Sequence, residues 1–275
     1  MDILFEKGLT KLVGLTDFDA DKIFDCGQCF RWLKQPDGSW RGIAHKKVMT
    51  LTQSGDEVSL SAPKEDFEAI WHNYFDLERD YEAMRSRLGV SDYMQKACDF
   101  GKGIRILRQE PWEALCTFII SQCNNIARIR GIVERLCTLK GEELGEGLYS
   151  FPSFEDIAPL KEEDLAPLRS GYRAKYIIEA ARAVSEGKFD LDAACKMNAD
   201  DAMKALLSLE GVGKKVAGCV MLFGLGKTEA FPIDTWMKKA LKEYFEEGFD
   251  PRVFGDDAGI AQQYIFYYAR WGGTV

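Results

Sequence analysis

Between residues 28 and 61 the chain alternates apolar and polar positions in short bursts. QCFRWLK, SWRGIAH, KVMTLTQ and EVSLSA are rich in aromatic and β-branched residues, and the turn signals PDGS and SGDE punctuate them. Period-two runs of this length separated by turns predict an antiparallel meander. From residue 64 onward the period lengthens to that of a helix. PKEDFEAIWHNYF opens with proline and acids, as helix N-termini do. EPWEALCTFIISQ sets Trp112, Leu115, Cys116, Ile119 and Ile120 on one stripe. NIARIRGIVERLCTLKG continues in that style as far as Gly141. FPSFEDIAPLKEEDLAPL (151–168) reads as a connector with two short helices, and GYRAKYIIEAARAVSEG as a longer helix ending at Gly187. NADDAMKALLSLEGVG begins on an asparagine cap and ends in a glycine hairpin, after which KKVAGCVMLFGL is again helical. The pattern predicts an α+β chain: a small N-terminal antiparallel β-sheet domain with helices over residues 1–97, then a mostly α-helical region over 98–275. A helix–hairpin–helix motif occupies about 199–225 of the second region.

Composition narrows the class. A chain of 275 residues, 46% hydrophobic and 29% charged, supports a packed core. No 18-residue apolar run is present, so no membrane-spanning helix is expected. MDILFEKG is acidic and lacks a hydrophobic stretch, unlike a signal peptide. Eight cysteines without a secretion signal read as free thiols of a reducing cytoplasm. Cys26-Gly-Gln-Cys29 is a redox pair or half a zinc site. It has no second CxxC, and His45 and His72 are not spaced as ligands. The net charge of −8 speaks mildly against nucleic acid, yet the charge is segregated. Basic residues gather at Arg128, Arg130 and Arg135, at Arg169, Arg173 and Lys175, and at Lys204, Lys214 and Lys215.

The stretch LEGVGKKVAG (209–218) carries the first sign of chemistry. Gly211 and Gly213 flank Val212 between two helices, where glycine permits positive φ and close backbone approach. The unpaired N–H groups at the start of the second helix suit an anion such as a phosphate. The plain alternative is a helix–helix corner that uses glycine for geometry. Asp234, in FPIDTW, precedes the amphipathic TWMKKALKEYF and is a ready N-cap.

L-x-GVG-x-KVA, followed nineteen residues after Lys215 by Asp234, resembles the helix–hairpin–helix DNA glycosylases. Within them the chain is most similar to the 8-oxoguanine DNA glycosylases that carry a lyase lysine. GQCFRW, LRQEPWEALCTFIISQCNNIARIRGIVERLC, GYRAKYI and AQQYIF match in colinear order, so the resemblance spans nearly the whole chain. It implies that Lys215 attacks C1′ of the damaged nucleotide and forms a Schiff base. Such a lysine must be neutral. The positive helix end, the like charge of Lys214 and an apolar pocket each favour the neutral amine. Asp234 would stabilise charge near C1′.

The resemblance further implies a flipped base. The carbonyl of Gly27 would accept from N7–H, which 8-oxoguanine has and guanine lacks. Gln262 would read the Watson–Crick edge, and Phe266 and Cys219 would cover the two faces. Taken alone, Phe266 and Cys219 read as core, Gln262 as surface, Gly27 as a turn and the lysine doublet as solvated charge. Tyr172 matches the wedge, Arg173 and Arg128 the contacts to the orphaned cytosine, and Asn124 lies in the same loop. Gly211, Gly213 and Trp236 would meet phosphates.

Three departures stand out. Cys123 replaces an asparagine of the opposite-base set, Trp236 replaces a phosphate-binding histidine, and Glu210 puts an acid into the hairpin. The iron–sulfur signature of a sister branch is absent, since the last cysteine is Cys219. No cofactor is therefore expected, apart from a monovalent or divalent cation at the hairpin–phosphate contact. The expected partner is double-stranded DNA containing 8-oxoguanine, bound by a cytoplasmic monomer of bacterial style. The rival readings are a non-catalytic helix–hairpin–helix DNA-binding protein and a monofunctional alkyl-base glycosylase. The first needs no base pocket, and the second lacks the lysine.

Overall fold

A computed structural model describes residues 1–272. The chain opens with two strands that the hydrophobic pattern does not announce, β1 (Asp2–Glu6) and β2 (Leu9–Val13). β1 buries almost nothing: Leu4 and Phe5 are 50% and 40% exposed, so no alternation marks it. After α1 (Ala20–Asp25) comes the expected meander of β3 (Trp32–Lys34), β4 (Trp40–Ala44), β5 (Lys47–Ser54) and β6 (Glu57–Leu60). β2 pairs with β6, giving one six-stranded antiparallel sheet in the order β1-β2-β6-β5-β4-β3. QCFRWLK narrows to Trp32–Lys34 because Gly27, at φ +83°, turns the chain and leaves its neighbours in a loop.

The helical continuation after the sheet begins as α2 (Lys64–Asp66), a π turn (Phe67–Trp71) and α3 (His72–Tyr74). Its aromatic face closes the sheet core. There Trp32 stacks on Phe24 at 4.0 Å between ring centroids and donates its indole N–H to Tyr74 Oη at 2.9 Å. A second core holds the remaining helices. α4 (Tyr81–Leu88) and α5 (Asp92–Phe100) already belong to it. The expected division after residue 97 thus falls inside α5, whose apolar residues Tyr93, Met94, Ala97 and Cys98 are buried in the helical core.

α6 (Pro111–Ile120) buries every face save the edge of Pro111, including its two polar residues Glu113 and Thr117. Each buried Leu or Ile contributes about 1.5–3 kcal/mol, which makes α6 a rigid central rod. α7 (Ile126–Lys140), capped by Asn125, leads to a small hairpin of β7 (Glu143–Gly145) and β8 (Leu148–Tyr149). The connector holds α8 (Phe154–Ile157) and a 3-10 turn (Glu162–Leu168), as its sequence suggests. α9 (Arg173–Ser185), α10 (Leu191–Lys196), α11 (Ala199–Leu207) and α12 (Lys214–Phe223) follow. α13 (Thr235–Tyr244), a 3-10 turn (Pro251–Asp257) and α14 (Ala258–Trp271) complete the chain. Among the described residues no helix is long and apolar enough to cross a membrane.

Candidate active site

The hairpin joins α11 to α12. Gly211 adopts φ +80°, and a Cβ there would lie 2.2 Å from the Tyr176 ring, so glycine is required twice over. Gly213 differs: it caps α12 at φ −92°, and a Cβ would meet nothing within 4 Å. The first N–H groups of α12 are therefore approachable from outside. Lys214 is exposed, whereas Lys215 is half-buried and turns inward. From Val216 on, α12 is buried and packs along α6.

That packing sets the surroundings of the amine. Lys215 Nζ lies 5.5 Å from the Phe118 ring centroid and donates to Ser121 Oγ at 3.1 Å. Asp234 arrives from the loop before α13, which it caps by accepting from the Met237 N–H at 2.8 Å. Its loop lies close against α12 because Gly218 faces Pro232, where a Cβ would come within 3.2 Å. Lys215 and Asp234 thus line one cleft of about 510 Å³, with Gly27, Phe266 and the loop 121–125. The amine's hydrogen bond goes to Ser121, not to the carboxylate.

The cleft continues into a recess of about 50 Å³ lined by Gly27, Lys215, Cys219, Asp234, Gln262 and Phe266. All the residues assigned to base and sugar chemistry meet here, from positions 27 to 266. Gln262 and Phe266 stand one turn apart on α14. Gln262 is 4% exposed, contrary to its surface-like sequence context, and its Oε1 has no hydrogen-bond partner among the described residues. Leaving such an atom dry costs about 1–3 kcal/mol, so it is free to accept from a donor that enters the recess. The Gly27 loop is held on both sides: Gln263 Nε2 donates to the Cys26 carbonyl at 3.0 Å, and Gln109 Nε2 to the Gln28 carbonyl at 2.7 Å. No donor among the described residues occupies the Gly27 carbonyl between them. Burial raises the Cys219 thiol, opposed by the Lys215 amine beside it. The side chain is thus a neutral apolar wall. At 50 Å³ the recess admits a few waters but not a purine. Phe266 is half-buried and, like Gly27, Phe118, Lys215 and Asp234, lines both the recess and the outer cleft.

Residues 12–115 match the N-terminal domain of 8-oxoguanine DNA glycosylase, and residues 116–250 match the HhH-GPD superfamily base excision DNA repair proteins. The chain belongs to the 8-oxoguanine DNA glycosylase family of that superfamily. The 8-oxoguanine glycosylase/lyase of Clostridium acetobutylicum, solved with double-stranded DNA containing cytosine opposite 8-oxoguanine, is 35% identical. It superposes with a TM-score of 0.93 over 99% of this chain and 98% of that one. The N-glycosylase/DNA lyase OGG1 of Arabidopsis thaliana is 30% identical over 94% of this chain and 76% of its own length. A 3-methyladenine DNA glycosylase from Archaeoglobus fulgidus, 19% identical with a TM-score of 0.74, shares the fold.

In this member of the family the residues that the resemblance matched to DNA contacts differ in exposure, and of them Asn124 and Trp236 line the cleft. Tyr172, 51% exposed at the start of α9, projects beside Tyr176, which also seats the hairpin. Arg128 is exposed and reaches the Arg169 carbonyl at 3.4 Å. Arg173 is buried instead: it donates to the Gln122, Cys123 and Ser170 carbonyls and stacks on Tyr172 at 4.5 Å. Contact with an orphaned cytosine would require it to exchange these bonds. Asn124 keeps a buried Oδ1 without a partner, while Asn125 is spent on capping α7.

The departures also find their places. Cys123 is exposed in the cleft with φ +48°. Trp236 lines the cleft under Lys239, whose Nζ lies 5.0 Å from its ring, so a cation sits beside the missing histidine. Glu210 pairs with Lys175 at 2.6 Å, which offsets its charge but ties up a cation. Cys26 and Cys29 are both buried. Burial pushes Cys26 up to about 12 and Cys29 well above its usual value, so neither is a reactive thiolate. Arg130 and Arg135, counted as basic surface from sequence, bind the Phe24 and Leu168 carbonyls. Sequence reasoning passed over Ser121, Gln263, Lys238 and Arg270. Ser121, Lys238 and Arg270 line the cleft, and only the tertiary fold marks them as different from ordinary helix residues.

Proposed function

We propose that the chain is a base-excision-repair enzyme that removes 8-oxoguanine opposite cytosine from duplex DNA and then cleaves the strand as an AP lyase. The observation that carries this reading is the convergence of a half-buried lysine, a helix-capping carboxylate and a collapsed base recess with an unpaired amide oxygen. A binding module needs none of the three.

The flipped base enters the recess, its N7–H donating to the Gly27 carbonyl and its edge meeting Gln262. The neutral Lys215 amine attacks C1′. The C1′–N9 bond breaks, its electron pair leaves with the base, and the base takes up a proton from water. The new C1′–N bond loses a proton to the Asp234 side of the cleft. Ring opening then breaks C1′–O4′ and makes a protonated imine, and O4′ takes up a proton. Loss of a C2′ proton expels the 3′ phosphate by β-elimination. No step calls for a metal or a redox group, so we propose no cofactor beyond a cation shared between hairpin and phosphate. We further propose a monomer acting on DNA in a bacterial-style cytoplasm.

The test is borohydride trapping on an 8-oxoguanine:cytosine duplex. Wild type and Lys214→Gln should yield a covalent adduct, and Lys215→Gln none, with damage binding largely kept. A wild type that binds the duplex but traps nothing refutes the lyase.

A further inference from the structure

We infer that Ser121 is a positioning residue for the nucleophile, holding the one amine hydrogen that survives the reaction. This rests on the function proposed above. Ser121 ends α6, and its Oγ has two neighbours. It donates its proton to the Phe118 carbonyl at 2.8 Å and accepts from Lys215 Nζ at 3.1 Å. A hydroxyl has one proton to give. With that proton committed to the helix, Oγ faces the amine as an acceptor.

The chemistry explains why an acceptor belongs there. A neutral amine carries two hydrogens and one lone pair. Attack uses the lone pair to form the C1′–N bond. One hydrogen then leaves as a proton, and ring opening gives an imine that is protonated on nitrogen. A single N–H therefore persists from amine to imine. An acceptor fixed on that hydrogen never has to let go. It also directs the lone pair and the departing hydrogen away from Ser121, toward the cleft that Asp234 lines. The Phe118 ring beside the amine restricts the side chain from another direction. α6 is buried along its length, so the acceptor is mounted on a rigid element.

Ser121→Ala removes the acceptor, and Ser121→Thr keeps the hydroxyl. The readouts are the single-turnover rate of base loss on an 8-oxoguanine:cytosine duplex, the rate of borohydride trapping, and the duplex Kd. Ser121→Ala should slow both rates roughly ten- to a hundredfold, the worth of one hydrogen bond to a nitrogen that turns cationic as it attacks, with Kd within about twofold of wild type. Ser121→Thr should recover most of the rate. Thermal melting of both variants should stay near wild type, which separates alignment from folding. A wild-type rate in Ser121→Ala, or a Thr variant as slow as Ala, overturns the inference. Wild type run alongside keeps the two readings apart: if it traps no adduct, the proposed function itself fails.

Discussion

The two hairpin glycines are predicted to fail in opposite ways. In Gly211→Ala the residue keeps φ +80°, a region that costs an L side chain about 1–2 kcal/mol. Its methyl also lands 2.2 Å from the Tyr176 ring, and relieving an overlap of that kind costs about 1–3 kcal/mol. Reduced freedom of the unfolded chain returns about 0.4–1 kcal/mol. The net is a loss of about 1–5 kcal/mol, centred near about 3 kcal/mol, which is about 6–12 °C in Tm for a chain of this size. Gly213→Ala keeps an ordinary φ of −92° and meets nothing, so its cost is a weaker N-cap, about 0.5–1 kcal/mol. It does, however, put a methyl where a phosphate would approach the N–H groups of α12. Thermal melts and fluorescence anisotropy with an undamaged duplex separate the effects. Gly211→Ala should melt early. Gly213→Ala should melt within about 3 °C of wild type yet bind the duplex roughly three- to tenfold more weakly. Equal melting of the two variants refutes the steric argument. Wild-type affinity in Gly213→Ala refutes the phosphate site.

Three further outcomes follow from other sites. Burial pushes the Glu113 carboxyl up to about 7, with Arg31 3.9 Å away pulling the other way. The folded state therefore holds a proton that the unfolded chain, titrating near 4.5, releases first. Stability is full below that value and falls by about 3 kcal/mol as pH rises to 7. Glu113→Gln should flatten this slope in urea midpoints compared at pH 5 and pH 8, and an unchanged slope places its origin elsewhere. Gln262→Leu removes a buried oxygen without a partner, so it should melt at or above wild type while losing most discrimination of 8-oxoguanine from guanine in competition binding. Glu210→Gln releases Lys175 and should tighten duplex binding about two- to fivefold, steepening the slope of log K against log salt by about 0.9. No change in slope would mean that Lys175 is not at the DNA.

By itself the sequence determined whatever depends on neighbours a few positions apart. Period-two and 3.6-period runs located β3–β6 and the long helices. The asparagine before α11 and Asp234 before α13 cap as their chemistry requires. The hairpin, the lysine doublet and the spacing to Asp234 were legible for the same reason, as were the colinear motifs. β1 was not, because an edge strand with an exposed face carries no alternation and is defined by the strand it pairs with. The tertiary structure decided everything that depends on what a side chain faces. It buried Gln262, turned Arg173 back onto the loop carbonyls, made the CxxC inert and set Ser121 against the nucleophile. It also brought Gly27 to Phe266 across more than two hundred positions and left only a 50 Å³ recess between them. No local pattern encodes those facts. They arise from the packing of α12 along the buried rod of α6 and of α14 against α5 and α13, and packing depends on all the elements at once.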